Sequence, residues 1–225
     1  MSDIRENMLA IDPSLNGTGL CFMTEFDKLT GKPVLTTQHV VPPKEIVGVE
    51  RLAWLKGQFE WILNCPGWFF DVRLVVLENY SYGSKAASAI SLGEWGGILR
   101  LMLHELKIPV AFVPPSNLKQ WLAGTGKANK ETMISQATKR SGLDFTNSDE
   151  ADAWALYAMA CQHYGLPIVG MPADRAKALA KIQWPEIRDF KIGSFNDKDF
   201  SEPHAHVKAG ATVVWVPVSK LRKVE

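Results

Sequence analysis

The feature that most constrains the fold is a nearly continuous apolar run over residues 72–77, which only Arg73 interrupts and which ends at Glu78. Runs of this kind are typical of central strands that are covered on both faces. A second apolar run, at 8–11, has the same character and ends at Asp12. The chain therefore predicts a sheet whose middle strands are buried between layers of helix.

The other elements follow from turn residues and apolar periodicity. Turn residues separate 8–11 from further strands at 20–23 and 34–41, which predicts a β-meander, and a fifth strand is predicted at 110–113. Apolar residues at helical spacing predict helices at 47–63, 84–106, 130–141 and 148–164. The order of elements predicts an α/β fold with a mixed five-stranded sheet and helices on both faces.

The amino-acid composition and the apolar patterning of the sequence change after Gly165. Residues 166–225 hold several prolines, a polar stretch over 194–206 and one apolar run, 211–218, that predicts a strand. We therefore predict a core domain over residues 1–165, followed by a C-terminal extension over 166–225.

Composition excludes several classes of protein. The chain has 225 residues, of which 46% are hydrophobic and 22% charged, as expected for one globular domain with its own core. The net charge of +1 gives no whole-molecule argument for a polyanionic partner. We expect neither secretion nor membrane insertion, because the first apolar run is too short for a signal peptide and no stretch approaches a spanning length. Cys21, Cys65 and Cys161 lack C-x-x-C spacing, which fits a reducing cytosol and indicates no zinc site.

Two of the strongest strands end on acids, Asp12 and Glu78, and a helix carries two more. Asp149 and Asp152 are spaced i and i+3 at the start of the helix predicted at 148–164, so they share one face. Simpler explanations exist: strand ends are often polar because they reach solvent, and Ser148 or Asp149 could cap the helix.

Capping does not explain Asp152 well. It lies between Ala151 and Ala153, small residues that favour a helix pressed tightly against the sheet, where an unpaired carboxylate is costly. A bound cation would offset that cost. Carboxylates without thiol or imidazole partners are hard oxygen ligands, suited to Mg²⁺ or Mn²⁺. Two such ions about 4 Å apart can activate water and stabilise the leaving oxygen of a phosphodiester, so the pattern is nuclease-like.

The segment 115–141 is locally basic. It contains one acid, Glu131, and the cations Lys119, Lys127, Lys130, Lys139 and Arg140. This excess predicts a surface that faces phosphates, with Lys119, Lys127 and Lys130 as DNA-binding candidates. The alternative is a solvated helix face of the kind that any protein carries.

Four segments follow one another in the chain: LAIDPSLNGTGL, LVVLENYSYGSKAASAISLGEWGGILR, PPSNLKQWLAGTGKANKETM and DEADAWALYAMACQH. They span about residues 8–165 and resemble the RuvC-type Holliday-junction resolvases of the ribonuclease-H-like superfamily. The resemblance implies a ribonuclease-H-like fold, a nuclease domain over 1–165 and a homodimer. It also implies magnesium-dependent, paired cuts in opposing strands of a four-way DNA junction, an activity of DNA recombination and repair.

The resemblance also assigns residues. Asp12, Glu78, Asp149 and Asp152 match the four catalytic carboxylates, which would bind two Mg²⁺ ions or Mn²⁺ in their place. Lys119 and Lys130 match basic residues near the scissile phosphate, and Tyr80 or Tyr82 lies near an aromatic residue that wedges into the junction. Cleavage would leave a 5′-phosphate and a 3′-hydroxyl.

Two departures from the family pattern keep other interpretations open. Ser14 stands where the family usually has glycine, and the extension over 166–225 lies where bacterial members soon end. A divergent bacteriophage enzyme, working in bacterial or host cytosol, fits this pattern. The alternatives are a nuclease of the same superfamily that acts on flaps, other branched DNA or RNA, and a non-catalytic protein that binds branched DNA.

Overall fold

The structure is a computed structural model that describes residues 4–64, 72–80, 86–187, 204–209 and 212–217. Cys65 and Tyr82 lie outside the described residues, as do the first positions of the helix predicted at 84–106. Within the described ranges, no helix combines the length and the apolar character needed to cross a membrane.

The core of the protein is one mixed sheet. Its strands are β1 (Met8–Asp12), β2 (Thr18–Phe26), β3 (Pro33–Val40), β4 (Leu74–Glu78) and β5 (Val110–Val113). The spatial order is β3-β2-β1-β4-β5, in which β1, β2 and β3 form an antiparallel meander while β4 and β5 run parallel to β1. The predicted meander and mixed five-stranded sheet are therefore confirmed.

Six helices are present in the described part of the chain. They are α1 (Gly48–Asn64), α2 (Ala86–Glu105), α3 (Pro115–Ala123), α4 (Lys130–Ser141), α5 (Ser148–His163) and α6 (Ala176–Ala180). The sequence pattern does not predict α3, because Pro114 and Pro115 mark the end of β5. The structure begins α3 at Pro115, since a proline at the first helical position loses no helical hydrogen bond.

Alternation along the strands divides the core into two layers. Met8 and Ala10 of β1 point to the face of the sheet that α5 covers, which we call the α5 face. Helices α3, α4 and α6 contribute to the same hydrophobic cluster. Leu9 and Ile11 point to the opposite face, the α1–α2 face, which α1 and α2 cover. Successive side chains of a strand alternate between faces, so one strand feeds both layers. The predicted helices on both faces of the sheet are confirmed.

The residues after Gly165 begin by packing onto the core. Ala178 and Ile182 are buried in the same hydrophobic cluster as the α5 face. Arg175 donates hydrogen bonds to the carbonyl oxygens of Trp121 and Leu122, at the end of α3. The division between 1–165 and 166–225 stays a prediction.

Further along, two strands form a separate antiparallel hairpin, β6 (His204–Ala209) and β7 (Thr212–Pro217). The sequence pattern predicts the second of these strands, at 211–218, and does not predict the first. Strand β6 contains His204, His206 and Lys208, so it lacks the apolar run by which the sequence identifies β7.

Candidate functional site

Two acids meet because their strands are parallel neighbours. Ile11 of β1 pairs with Leu77 of β4, so Asp12 and Glu78, the last residues of the two strands, emerge side by side at one edge of the sheet. Asp12 is 7% exposed, and in its protonated form it donates a hydrogen bond to Glu78. Burial, reinforced by the charges of Glu78 and Asp152, raises the pKa of Asp12 well above its usual range. Burial also raises the pKa of Glu78.

Helix α5 brings the other two acids to the same edge. Its N-cap is Asn147, whose side chain accepts a hydrogen bond from the backbone N–H of Glu150 at 2.9 Å. The alternative explanation, that Ser148 or Asp149 caps this helix, is therefore wrong. Because Asn147 performs this role, the Asp149 carboxylate is left for other partners.

A glycine sets how closely α5 approaches the sheet. A Cβ on Gly19 of β2 would lie 2.0 Å from the backbone oxygen of Asp149, a distance that real atoms do not reach. Gly19 pairs with Asp12 across the sheet, so the helix meets the sheet directly beside the strand-end acids. The backbone angle φ of Gly19 is not positive. Glycine is needed here for space and not for an unusual backbone conformation.

Asp152 is the least satisfied acid of the group. Its Oδ1 is buried and has no hydrogen-bond partner. Burial and the charges of Glu78 and Asp149 raise the pKa of Asp152 to about 8. Ala151 and Ala153 are fully buried, which confirms the sequence-based expectation that this part of α5 is pressed tightly into the core.

Asp149, in contrast, has a hydrogen-bond partner for each of its carboxylate oxygens. Its Oδ2 accepts a hydrogen bond from Nε2 of His39 at 3.1 Å, and its Oδ1 accepts one from Oγ of Ser148 at 3.1 Å. Burial alone would raise the pKa of Asp149, but these two hydrogen bonds, together with the charges of His39 and Lys130, lower it. The same contact with Asp149 raises the pKa of His39 against the effect of burial.

Sequence reasoning misses His39. It lies in the edge strand β3, 110 positions from Asp149, and shares no ligand-like spacing with another histidine. No local pattern could have identified it, because only the pairing of β3 with β2 and the docking of α5 bring the two residues together.

Two of the three predicted lysines act on the acids. The charge of Lys119, on α3, counteracts the rise in pKa that burial causes at Glu78 and Asp152. Lys130, the first residue of α4, acts in the same direction on Asp152 and also lowers the pKa of Asp149. Lys127 lies exposed in the connection between α3 and α4.

Tyr80 follows Glu78 by two residues and is partly buried. Its ring packs on Gly96 of α2, where a Cβ would lie 2.7 Å from ring atom Cε1. The guanidinium of Arg100 lies 4.1 Å from the centre of the Tyr80 ring and 4.4 Å from that of Phe112. Tyr80 is therefore held firmly against α2.

The four acids lie at the same edge of the sheet but do not surround one point. Within the described ranges, no three His, Cys, Asp or Glu side chains are gathered tightly enough to hold a metal ion as they stand. Asp12 is instead hydrogen-bonded to Glu78, and Asp149 to His39. The donor set still fits a hard divalent cation, because it consists of carboxylate oxygens, includes the unpartnered Oδ1 of Asp152, and carries like charges that repel one another.

Comparison with known proteins gives consistent matches. Residues 8–163 match the family model described as "Crossover junction endodeoxyribonuclease RuvC". A protein of that name from Nocardia farcinica is 28% identical over 184 residues, which cover 80% of this chain and 93% of the relative. The corresponding protein from Roseiflexus is 28% identical over 166 residues, covering 72% of this chain and 92% of the relative.

The fold has solved counterparts. The structure of Thermus thermophilus RuvC superposes with a TM-score of 0.54 and 24% identity, covering 73% of this chain and 99% of that protein. The same protein in complex with a Holliday junction substrate gives a TM-score of 0.54 and 22% identity. These likenesses support the ribonuclease-H-like architecture expected from the sequence.

Proposed function

Because the chain belongs to the RuvC family of crossover junction endodeoxyribonucleases, we propose that it resolves four-way DNA junctions by paired, metal-dependent nicks in opposing strands. The observation that carries the proposal is the meeting of four acids at one edge of the sheet, with one buried oxygen of Asp152 left unpartnered. A protein that only binds DNA gains nothing from acids beside phosphates, since they repel its ligand.

We propose Asp12, Glu78, Asp149 and Asp152 as the residues that hold two Mg²⁺ ions. These residues would hold the ions, which would supply activation of a water and stabilisation of the leaving oxygen of a phosphodiester, so that cleavage would leave a 5′-phosphate and a 3′-hydroxyl. In the metal-free protein, burial favours the protonated forms of Asp12 and Asp152, and both protons must leave before these side chains can bind a cation. Mn²⁺ would serve in place of Mg²⁺, because it also prefers oxygen ligands.

The lysines have two tasks in this proposal. Lys119 and Lys130 favour the ionised forms of the neighbouring acids, and they attract the phosphates on either side of the scissile bond. Lys127, exposed between α3 and α4, extends the same surface along the DNA backbone. Tyr80 and Tyr82 remain predicted contacts near the junction centre.

Paired nicks require two such sites on one junction. The residues that the structure describes contain one such set of four acids, so we propose that the protein acts as a homodimer. Each copy would then cut one of two opposing strands.

The test is cleavage of a labelled four-way junction, a flap, a linear duplex and an RNA–DNA hybrid by the wild type and by Asp12→Asn. Each reaction is run with Mg²⁺ and with EDTA. We expect symmetric nicking of the junction only with Mg²⁺, and a loss of at least about 10³-fold in the variant, with junction binding retained because affinity comes mainly from contacts between cations and phosphates.

The other outcomes contradict specific parts of the proposal. Metal-dependent cutting of flaps or RNA in preference to the junction would support the metal site and reject the four-way junction as the substrate. Tight junction binding with no cutting under any condition would favour a non-catalytic binding protein.

A further inference from the structure

His39 shares a row of the sheet with one of the proposed metal ligands. Asp12 of β1 pairs with Gly19 of β2, and Gly19 pairs with His39 of β3, so the three residues lie side by side across neighbouring strands. Directly paired residues project to the same face of a sheet. Asp12 and His39 therefore flank a position that has no side chain, and the backbone of Asp149 occupies that gap.

A second glycine leaves the space that the imidazole of His39 occupies. A Cβ on Gly17 would lie 2.1 Å from Nε2 and 2.6 Å from Cε1 of the ring, so no larger residue could stand there without displacing the ring. The His39 side chain is 27% exposed, and that of Asp149 is 23% exposed. Gly17 thus leaves room for the imidazole of His39, and Gly19 leaves room for the helix that carries Asp149. The two glycines together allow the contact between His39 and Asp149.

The contact determines how Asp149 is oriented. A carboxylate can only accept hydrogen bonds, so Nε2 of His39 donates to Oδ2 while the hydroxyl of Ser148 donates to Oδ1. Each oxygen of Asp149 has a donor, which restrains rotation of the carboxylate. Asp152, one turn further along α5, has no partner for its Oδ1.

We propose that His39 is a positioning residue, which holds the Asp149 carboxylate in the orientation required for metal binding. The inference rests on the proposed function, because it treats Asp149 as a metal ligand. A donor behind a ligating carboxylate fixes its direction and contributes to metal affinity without touching the metal or the substrate.

The test compares His39→Ala and His39→Gln with the wild type. Glutamine keeps an N–H donor that can reach Oδ2, whereas alanine removes it. The matched control is Gln38→Ala, because Gln38 is the neighbouring residue of β3 and points to the opposite face. For each protein we would measure the melting temperature over a range of Mg²⁺ concentrations, junction affinity in EDTA, and kcat and KM for junction cleavage.

We expect His39→Ala to raise the Mg²⁺ concentration needed for half-maximal thermal stabilisation by about 10- to 100-fold. Cleavage at fixed Mg²⁺ should fall through kcat, with KM and metal-free junction affinity within about twofold of the wild type. His39→Gln should recover most of both losses, and Gln38→Ala should show neither.

Four results would overturn the proposal. The first is an unchanged Mg²⁺ requirement in His39→Ala while the wild type binds Mg²⁺ and cleaves, which leaves the proposed function intact. The second is an equal loss in Gln38→Ala, which would make the effect one of strand stability. The third is a change in KM or in metal-free junction affinity without a change in Mg²⁺ requirement, which would place His39 in contact with DNA. A wild type that neither binds Mg²⁺ nor cleaves would reject the proposed function as well.

Discussion

The α1–α2 face and the α5 face of the sheet bury their residues in different ways. On the α1–α2 face, large side chains fill the space between layers, and Phe59 and Trp95 meet edge to face with ring centres 5.1 Å apart. On the α5 face, small residues let the helix backbone approach the sheet, as where Gly19 meets Asp149. The four acids and His39 all lie on the α5 face. Close approach of backbones is what allows side chains as short as aspartate to meet from a helix and from strands.

The largest expected effect comes from a substitution that prevents the close approach of α5 to the sheet. Gly19→Ala would place a Cβ 2.0 Å from the backbone oxygen of Asp149, so α5 would have to move away from Asp12. A displacement of about 1 Å can cost about 10²-fold in rate, and we expect at least that loss of junction cleavage.

The control for this variant lies on the other side of the sheet. Gly97, in α2, has no atom within 4 Å of where its Cβ would lie. Gly97→Ala should keep full cleavage and stabilise the protein by about 0.5–1 kcal/mol, as judged by urea unfolding. Full activity in Gly19→Ala would show that close approach of α5 is not required.

The next prediction compares two fully buried leucines, one on each face, to separate effects on stability from effects on activity. Leu99 lies on the α1–α2 face and Leu156 on α5, one turn after Asp152. Replacing either with alanine should cost about 2–5 kcal/mol of unfolding free energy. Only Leu156→Ala should also lower kcat per folded molecule, because it loosens the helix that carries two of the acids. Equal kcat losses in the two variants would contradict the division of roles between the faces.

The smallest expected effect is electrostatic. Asp152 has a pKa of about 8 in the folded protein against an ordinary value of 3.8, so the folded state binds the proton more tightly than the unfolded chain does. In metal-free protein its contribution to stability is therefore greatest below pH 4 and is lost as the pH rises through 8. Asp152→Asn should reduce this slope and stabilise the protein at pH 8 by about 1–3 kcal/mol.

Urea unfolding in EDTA at pH 5 and pH 8 measures this difference. Asp144→Asn, which changes an exposed carboxylate, is the control and should leave the slope unchanged. If Asp152→Asn retains the wild-type slope, Asp152 is not a source of the pH dependence.

Much of the site could be predicted because its parts are local patterns. Apolar runs that end at Asp12 and Glu78 identify two strands and the edge where their acids lie, and the spacing of Asp149 and Asp152 places both on one helical face. The alanine neighbours of Asp152 also predict that this part of α5 packs closely into the core. Each of these inferences needs only a few consecutive residues and the period of the element that contains them.

The remaining features depend on contacts between distant segments. Asn147 caps α5 although Ser148 and Asp149 are equally good capping residues in sequence, because the choice depends on where the helix docks. Helix α3 has only nine residues, and its opening prolines are as typical of a strand end as of a helix start. The packing of residues 176–182 against α3 likewise involves distant contacts, such as the hydrogen bond from Asn117 to the carbonyl of Ala178, 61 positions away.

The sequence alone determined the order of the five strands of the main sheet and singled out the four acids, because strand, helix and turn preferences are properties of short segments. The tertiary structure alone determined the environment of those acids. It gave Asp149 the donor His39, left Asp152 without one, and gave Gly17 and Gly19 their roles as space for a ring and a helix. Partners and close approaches of this kind arise from the docking of segments far apart in the chain, which no local pattern encodes.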